Sequence, residues 1–497
     1  MEQHRERVAA IASRVRHFYD RKEPFRMYHG STNSTRQLNR RHDNTINTSG
    51  LTHVLEVSRT TMSALVEPNV AMDALCEATL KQNLVAPIVM EFPGITVGGG
   101  FSGSSGESSS FKYGLFDCTV KSIEIVLGNG DILTASETEN QDLFRGAAGS
   151  CGTLGVVTLL ELQLVEAMEY VELTYHPFVS MPQAIKDIEA ATHDRSIDYV
   201  DGIVFAPDRA CIMTGRRVSS PPAGARIQRF TRPYDPWFYI HCSRLLRGKT
   251  TPIVEAIPLT DYLFRYDRGT FWGGMHAFHY FLFPFNRVTR FLLDHFMHTR
   301  VMYHAFHASG LAAQTIVQDL ALPFATAEEF INYIDATLGF YPLWLCPVRA
   351  RPRAQSFAVG RNLPDAGMML NIGVWGMGPA NHEEFVKKNR ELEKKVRELR
   401  GIKCLYAHTY YTEDEFWEIY DRKWYEDLRV RYQATLLPSV YEKVRVPVPE
   451  KRREDVNVDL GAWLLVLFWS TWPFSGLYGV WKAIFGGDYL LAKEKEQ

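Results

Sequence analysis

The sequence predicts an α+β fold in two domains, followed by an apolar C-terminal segment. Three observations predict it. Residues 44–166 alternate strand-like runs with a helix-like run and carry one glycine-serine loop; residues 168–430 are richer in aromatics and histidine, again with strands and helices; and 22 residues without a formal charge lie between Asp459 and Lys482. The chain has 497 residues, room for two or three domains of about 150 residues and for substantial cores. Its 55 Lys and Arg nearly balance 57 Asp and Glu, a net charge of −2, which argues against a broadly basic nucleic-acid binder. With 46% hydrophobic and 23% charged residues, disorder as the dominant state is excluded. Seven scattered cysteines without a C-x-x-C point away from a zinc site or a disulfide framework. No metal is expected: His276 and His279 have helical spacing but no evident third ligand.

The elements follow in order. Val8, Ile11, Val15 and Phe18 recur at helical spacing, so residues 1–24 read as a basic amphipathic helix, docked on its own domain or lying on a membrane. The segment is too charged for a secretory signal. The first domain, 25–167, is expected to hold strands at 52–57, 63–68, 84–89 and 153–166, with a helix at 71–83 burying Met72, Leu75, Cys76 and Leu80. Asn129-Gly130 between apolar runs signals a hairpin over 120–136. The second domain, 168–445, is expected to hold strands at 170–178, 202–207, 210–218 and 368–378, and helices at 330–338, 383–400 and 413–433. Residues 446–459 are charged and contain proline, which reads as a linker. Residues 460–485 are long enough to span a bilayer, yet Pro473, Gly476 and Gly479 interrupt them. A span, a bent pair of interfacial helices with Trp463, Trp469, Trp472, Tyr478 and Trp481 at headgroup level, and a buried hairpin all fit.

Three polar segments carry the chemical signal. Residues 92–114, FPGITVGGGFSGSSGESSSFKYG, are dense in glycine and serine. Glycine lets backbone approach a ligand and expose N–H groups that suit phosphate oxygens. A surface loop fits the same composition. The residues that follow open a helix poorly, so a Rossmann site is not supported. FRMYHGSTNSTR (25–36) and SCGTLGVVT (150–158) each read alone as a turn.

Taken in order, with VEPNVAMDALCEAT, VLGNGDI and ETENQDLF, these segments resemble the FAD-binding domain of the vanillyl-alcohol-oxidase, or PCMH, type. GESSSFKYGLF, ETENQDLF and SCGTLG are similar to segments of the Δ24-sterol reductase family. So are CIMTG (211–215), YDPWFYIH (234–241), IVQDLALP (316–323), YPLWLCP (341–347) and LYAHTYYTEDEFWEIYD (405–421), all beyond the first domain. The resemblance implies an FAD-binding domain followed by an α+β substrate domain. It carries FAD contact onto Thr96, Val97, Gly98, Gly99, Gly100, Phe101, Ser102, Gly103, Ser104, Ser105, Gly106, Glu107 and Ser108. Ser31, Thr32, Asn33 and Ser34 take the place of a second phosphate loop, and Gly152, Thr153, Gly155 and Val156 line the adenine or flavin side. Many relatives tether FAD through a histidine after paired glycines; here His29 precedes the single Gly30, so FAD is expected to be non-covalent.

The implied activity is reduction of a sterol side-chain Δ24 double bond, with NADPH as electron donor, hydride from reduced flavin and a proton from the protein. Spacing does not assign the proton donor among Glu107, Lys112, Tyr113, His241, Asp319 and Tyr410. The aromatic stretches 232–241, 264–285 and 341–347 fit either core or the walls of a sterol slot. The expected setting is the endoplasmic reticulum membrane with the catalytic domain toward the cytosol, attached at the C-terminal segment. Two rival readings are an FAD-linked enzyme acting on another lipophilic natural product, and a non-catalytic sterol-binding protein of the same fold.

Overall fold

A computed structural model describes residues 1–30, 34, 42–349, 357, 367–446, 468–469 and 471–486. The expected linker, from residue 447 on, lies outside the described residues, as do residues 460–467.

The first domain is built on a five-stranded antiparallel sheet in the order Val54–Ser58, Ser63–Val66, Val156–Gln163, Val120–Val126, Ile132–Ser136. Alternation decides which face is buried: Val156, Thr158, Leu160 and Leu162 point inward from the third of these strands. The hairpin at 120–136 forms with a wider connection than a two-residue turn, since the ladder ends at Val126 opposite Ile132. Gly130 takes φ +87° there, and the Leu127 amide donates to the Asp131 carbonyl. Of the run 84–89 only Leu84–Val85 is a strand, paired with Val165–Glu166.

The N-terminal helix, Glu2–Asp20, docks on this domain. Val8, Ile11, Val15 and Phe18 are buried, Phe18 stacks on Phe25 at 5.6 Å, and His4 Nδ1 lies 2.8 Å from Glu67 Oε1.

The second domain carries a nine-stranded sheet in the order Arg226–Ile227, Ile253–Pro258, Tyr170–Phe178, Arg209–Val218, Tyr199–Ala206, Leu343–Arg349, Met368–Met377, Thr315–Pro323, Ile402–Lys403. Its central strands are buried on both faces, and their two-residue period sorts side chains between two cores. Val200, Val204, Leu320, Leu322, Leu343, Leu345, Leu370, Ile372 and Val374 face helices Met181–Ala191, Phe324–Thr337 and His382–Glu398. The alternate positions, Val317, Asp319, Ala321, Trp344, Cys346, Val348, Asn371 and Trp375, face a cavity shared with the first domain. That parity aims polar and aromatic groups at one place.

The expected helix at 413–433 is two helices, Glu413–Ile419 and Arg422–Arg431, because Asp421 starts a new one by accepting from the Trp424 amide. This segment returns to the first domain: Tyr425 donates to Thr153 Oγ1 at 2.6 Å, and Lys443 Nζ to the Cys151 carbonyl at 2.5 Å. The C-terminal helix, Phe474–Phe485, packs on Thr299–Ala308, with the bare Gly479 against Ser309 and Ala305. No helix among the described residues is long and apolar enough to cross a membrane.

Candidate active site between the two domains

One cavity of about 650 Å³ runs between the domains. Its first-domain wall is the glycine-serine loop, which folds differently from the open cradle of amides read from its composition. Residues Val97–Gly103 form a short helix capped by Thr96, whose Oγ1 accepts from the Gly99 amide at 3.1 Å. The Gly98 and Gly100 amides are also engaged, with the carbonyls of Pro68 and Thr96. The glycines mostly serve close packing. A Cβ on Gly98 would sit 2.7 Å from Pro68, and one on Gly100 would sit 2.6 Å from Met90 and 2.9 Å from Phe116. Gly103 differs: a Cβ there would meet nothing within 4 Å among the described residues, because it opens onto the cavity.

Of the residues expected to contact FAD, Ser34, Thr96, Gly98, Gly99, Ser102, Gly103, Ser104, Ser105, Gly106, Gly152, Gly155 and Val156 line the cavity. Val97, Gly100, Phe101, Ser108 and Thr153 are buried behind that surface, and Ser31, Thr32 and Asn33 lie outside the described residues. His29 also lines the cavity. The wall fits a dinucleotide: the small residues leave room, and the Ser104 hydroxyl is buried with no partner among the described residues.

Beyond the loop the cavity turns apolar. Phe271, Trp272, Trp344 and Trp375 form one aromatic cluster, with Phe271 and Trp375 centroids 4.4 Å apart and Trp272 and Trp375 5.1 Å apart. Tyr280, Phe281, Phe283 and Phe296 continue the wall outward.

Among the candidate proton donors, Asp319 lies on the cavity wall. Its Oδ2 accepts from the Tyr406 hydroxyl at 2.6 Å and its Oδ1 from Asn371 Nδ2 at 2.9 Å. Gly373 sits opposite Asp319 in the ladder, and a Cβ there would crowd Trp375 at 2.7 Å and Asp319 Oδ1 at 3.2 Å. Burial pushes the Asp319 carboxyl above the ordinary range, against the two hydrogen bonds from Tyr406 and Asn371.

The others lie elsewhere. Glu107 joins Arg265 at 3.0 Å in a buried cluster with Asp201. Lys112 pairs with Asp198 at 2.8 Å, and the Tyr113 hydroxyl accepts from Arg217. His241 meets Glu255 at 2.7 Å, and Tyr410 gives its amide to Glu393.

Two groups were not singled out by sequence reading. Tyr406 lies in LYAHTYY, a segment that carries the family resemblance but assigns this residue no role. Glu91 lines the cavity with no partner for Oε2 among the described residues, and burial first, then the Glu107 carboxylate, pushes it up to about 8. Its signal was available: Glu91 is the lone acid in LVAPIVMEFPG.

The fold is that of a two-domain flavoprotein: a family profile described as FAD binding domain matches residues 5–136, and the relatives below make the class an oxidoreductase. The particular family is also evident. The chain is 29% identical to human Delta(24)-sterol reductase over 406 residues, covering 79% of this chain and 76% of that one. It is 30% identical to the Delta(24)-sterol reductase of Pisum sativum over 442 residues, 79% and 75% of the two chains. The Arabidopsis thaliana enzyme of that name is 30% identical over 434 residues, 79% and 74%. The chain belongs to the Delta(24)-sterol reductase family.

Proposed function

We propose that this protein reduces the Δ24 side-chain double bond of a sterol, with FAD held non-covalently and NADPH as the electron donor. The observation that supports this most is continuity: one cavity joins the glycine-serine loop to an aromatic chamber with an acid on its wall. Ser102, Ser104 and Ser105 would hold the dinucleotide, with Gly103 leaving it room. When bound and reduced, FAD supplies the hydride for the tertiary alkene carbon.

The protein's own residues do the rest. When Asp319 is protonated, the state burial favours, the 2.6 Å contact runs from its carboxyl to the Tyr406 oxygen; the Tyr406 hydroxyl then gives its proton to the less substituted carbon and takes one from Asp319. Asn371 fixes the Asp319 carboxyl. An isolated alkene has no carbonyl to draw charge, so the protonated carbon skeleton carries positive charge in the transition state. The faces of Trp344 and Trp375 favour that charge and exclude water.

The test is incubation of detergent-purified protein with NADPH and a Δ24-unsaturated sterol, read by mass spectrometry. A gain of two hydrogens at the side chain is expected. Turnover only with another lipid would leave the flavin reading and replace the substrate, and sterol binding without turnover would favour a binding protein. A visible spectrum of the supernatant after denaturation checks the mode of attachment. Flavin colour leaving with the supernatant is expected, whereas colour on the precipitate would mean a covalent tether.

A further inference from the structure

Thirteen of the twenty-two exposed large apolar side chains among the described residues fall in two short segments. Leu282, Phe283, Val288, Phe291 and Leu292 occupy one. The other, 468–485, holds eight more, including Leu477, Trp481 and Phe485. The segments are remote in sequence and joined in space. Trp472 Nε1 donates to the Tyr280 carbonyl at 2.6 Å, Tyr280 and Ser475 share a hydroxyl contact at 3.3 Å, and Gly476 lies against Phe281.

The cavity opens between them. Phe283 and Leu477 are each about half exposed and also line the cavity, and Phe281, Val480 and Ala483 line it just inside. Neither segment contains an acid. Arg287, Arg290 and Lys482 lie within them, and burial first, then the nearby Arg244, Arg268 and Arg287 cations, lower the Arg290 pKa. An apolar rim backed by cations, with tryptophans at its edge, is the composition of a surface that enters the lipid interface and meets anionic headgroups. A protein partner seated here would stop the mouth through which substrate passes.

We propose that residues 282–292 and the C-terminal helix form one bilayer-docking face around the cavity mouth, through which a lipid substrate passes directly from the leaflet. The route of the substrate rests on the sterol reading above; the docking face does not. The test uses purified full-length holoprotein and sterol-free vesicles of phosphatidylcholine, with or without phosphatidylserine, read by co-sedimentation. Wild type is expected to bind, and more tightly with phosphatidylserine at low salt. The triple variant Leu282→Glu, Val288→Glu, Leu292→Glu changes side chains that project into solvent and do not line the cavity. It should bind about a hundredfold more weakly, with unchanged flavin content. Trp481→Glu with Phe485→Glu should do the same from the other segment. Activity in detergent micelles should stay at the wild-type level while activity on vesicle-borne substrate falls. Undiminished vesicle binding by both variants overturns the proposal. So does a wild type that ignores vesicles, including one that self-associates through this face. Lost binding alongside absent sterol turnover would retain the docking face and remove the sterol reading.

Discussion

Gly103 and Gly100 lie three residues apart in one short helix, yet substitution should act oppositely. Gly103→Val adds atoms only to open cavity, so folding should survive while flavin content falls, read by absorbance against protein concentration and by thermal unfolding. Gly100→Val drives atoms into Met90 and Phe116, and should cost about 1–3 kcal/mol of stability through overpacking. At the acid, Asp319→Asn keeps the shape and removes the transferable proton, and Tyr406→Phe removes the hydroxyl that passes it on. Each should lower turnover by about 10²–10⁴ with flavin retained. Full turnover in both variants would shift the role to Glu91, which Glu91→Gln then tests. Sequence reading reached Asp319 as one candidate among six, and it missed Glu91. Polarity is legible in a string of letters, but the side of a strand that meets a cavity depends on what packs against it.

At the scale of elements, the helix Thr299–Ala308 walls the cavity and seats the C-terminal helix, and its start is held electrostatically. His298 Nδ1 lies 2.6 Å from Asp267, and its Nε2 3.4 Å from Asp294, which also binds Arg268. The hydrogen bonds to Asp267 and Asp294 push His298 from 6.5 up to about 9. A histidine whose folded pKa is raised contributes fully below about 6.5 and loses that contribution as pH rises through about 9. Stability should therefore fall between these values by about 1–2 kcal/mol, allowing for screening of a ring 35% exposed. His298→Gln should flatten this slope in denaturant titrations at several pH values. The N-terminal helix was legible from its period alone, since Val8, Ile11, Val15 and Phe18 make one stripe. The short helices at Phe238–Leu245, Gly273–Tyr280 and Arg287–Leu292 were not, because six to eight residues are too few turns for a period to show.

For the whole molecule, the joint between domains is a buried charge cluster. Arg265, fully buried, reaches Glu107 of the first domain at 3.0 Å and Asp201 of the second at 2.9 Å. Tyr266 donates to Asp201 at 2.7 Å, and Ser108 meets Tyr262 at 3.1 Å. Arg265→Ala would leave two buried carboxylates without a countercharge, held among the described residues only by the hydroxyls of Tyr266 and Ser108 and the Trp344 ring N–H. Unfolding should come about 3–5 kcal/mol sooner in denaturant, and an unchanged midpoint would mean that packing alone holds the domains together.

The sequence alone determined the class of the protein. The α+β composition, the glycine-serine loop and the order of the family segments are local or linear properties, and local steric rules act on them directly. Tertiary structure decided the rest. It turned the loop from an open cradle of amides into a capped helix, since Thr96 and the Pro68 carbonyl took those amides first. It brought Asp319, Asn371 and Tyr406 together from two strands and a loop, and it moved Glu107 from candidate acid to domain joint. It also laid the C-terminal helix beside the cavity mouth. Apart from the local Thr96 cap, each outcome depends on contacts between residues tens to hundreds of positions apart, set by packing and desolvation of the assembled chain rather than by any local pattern.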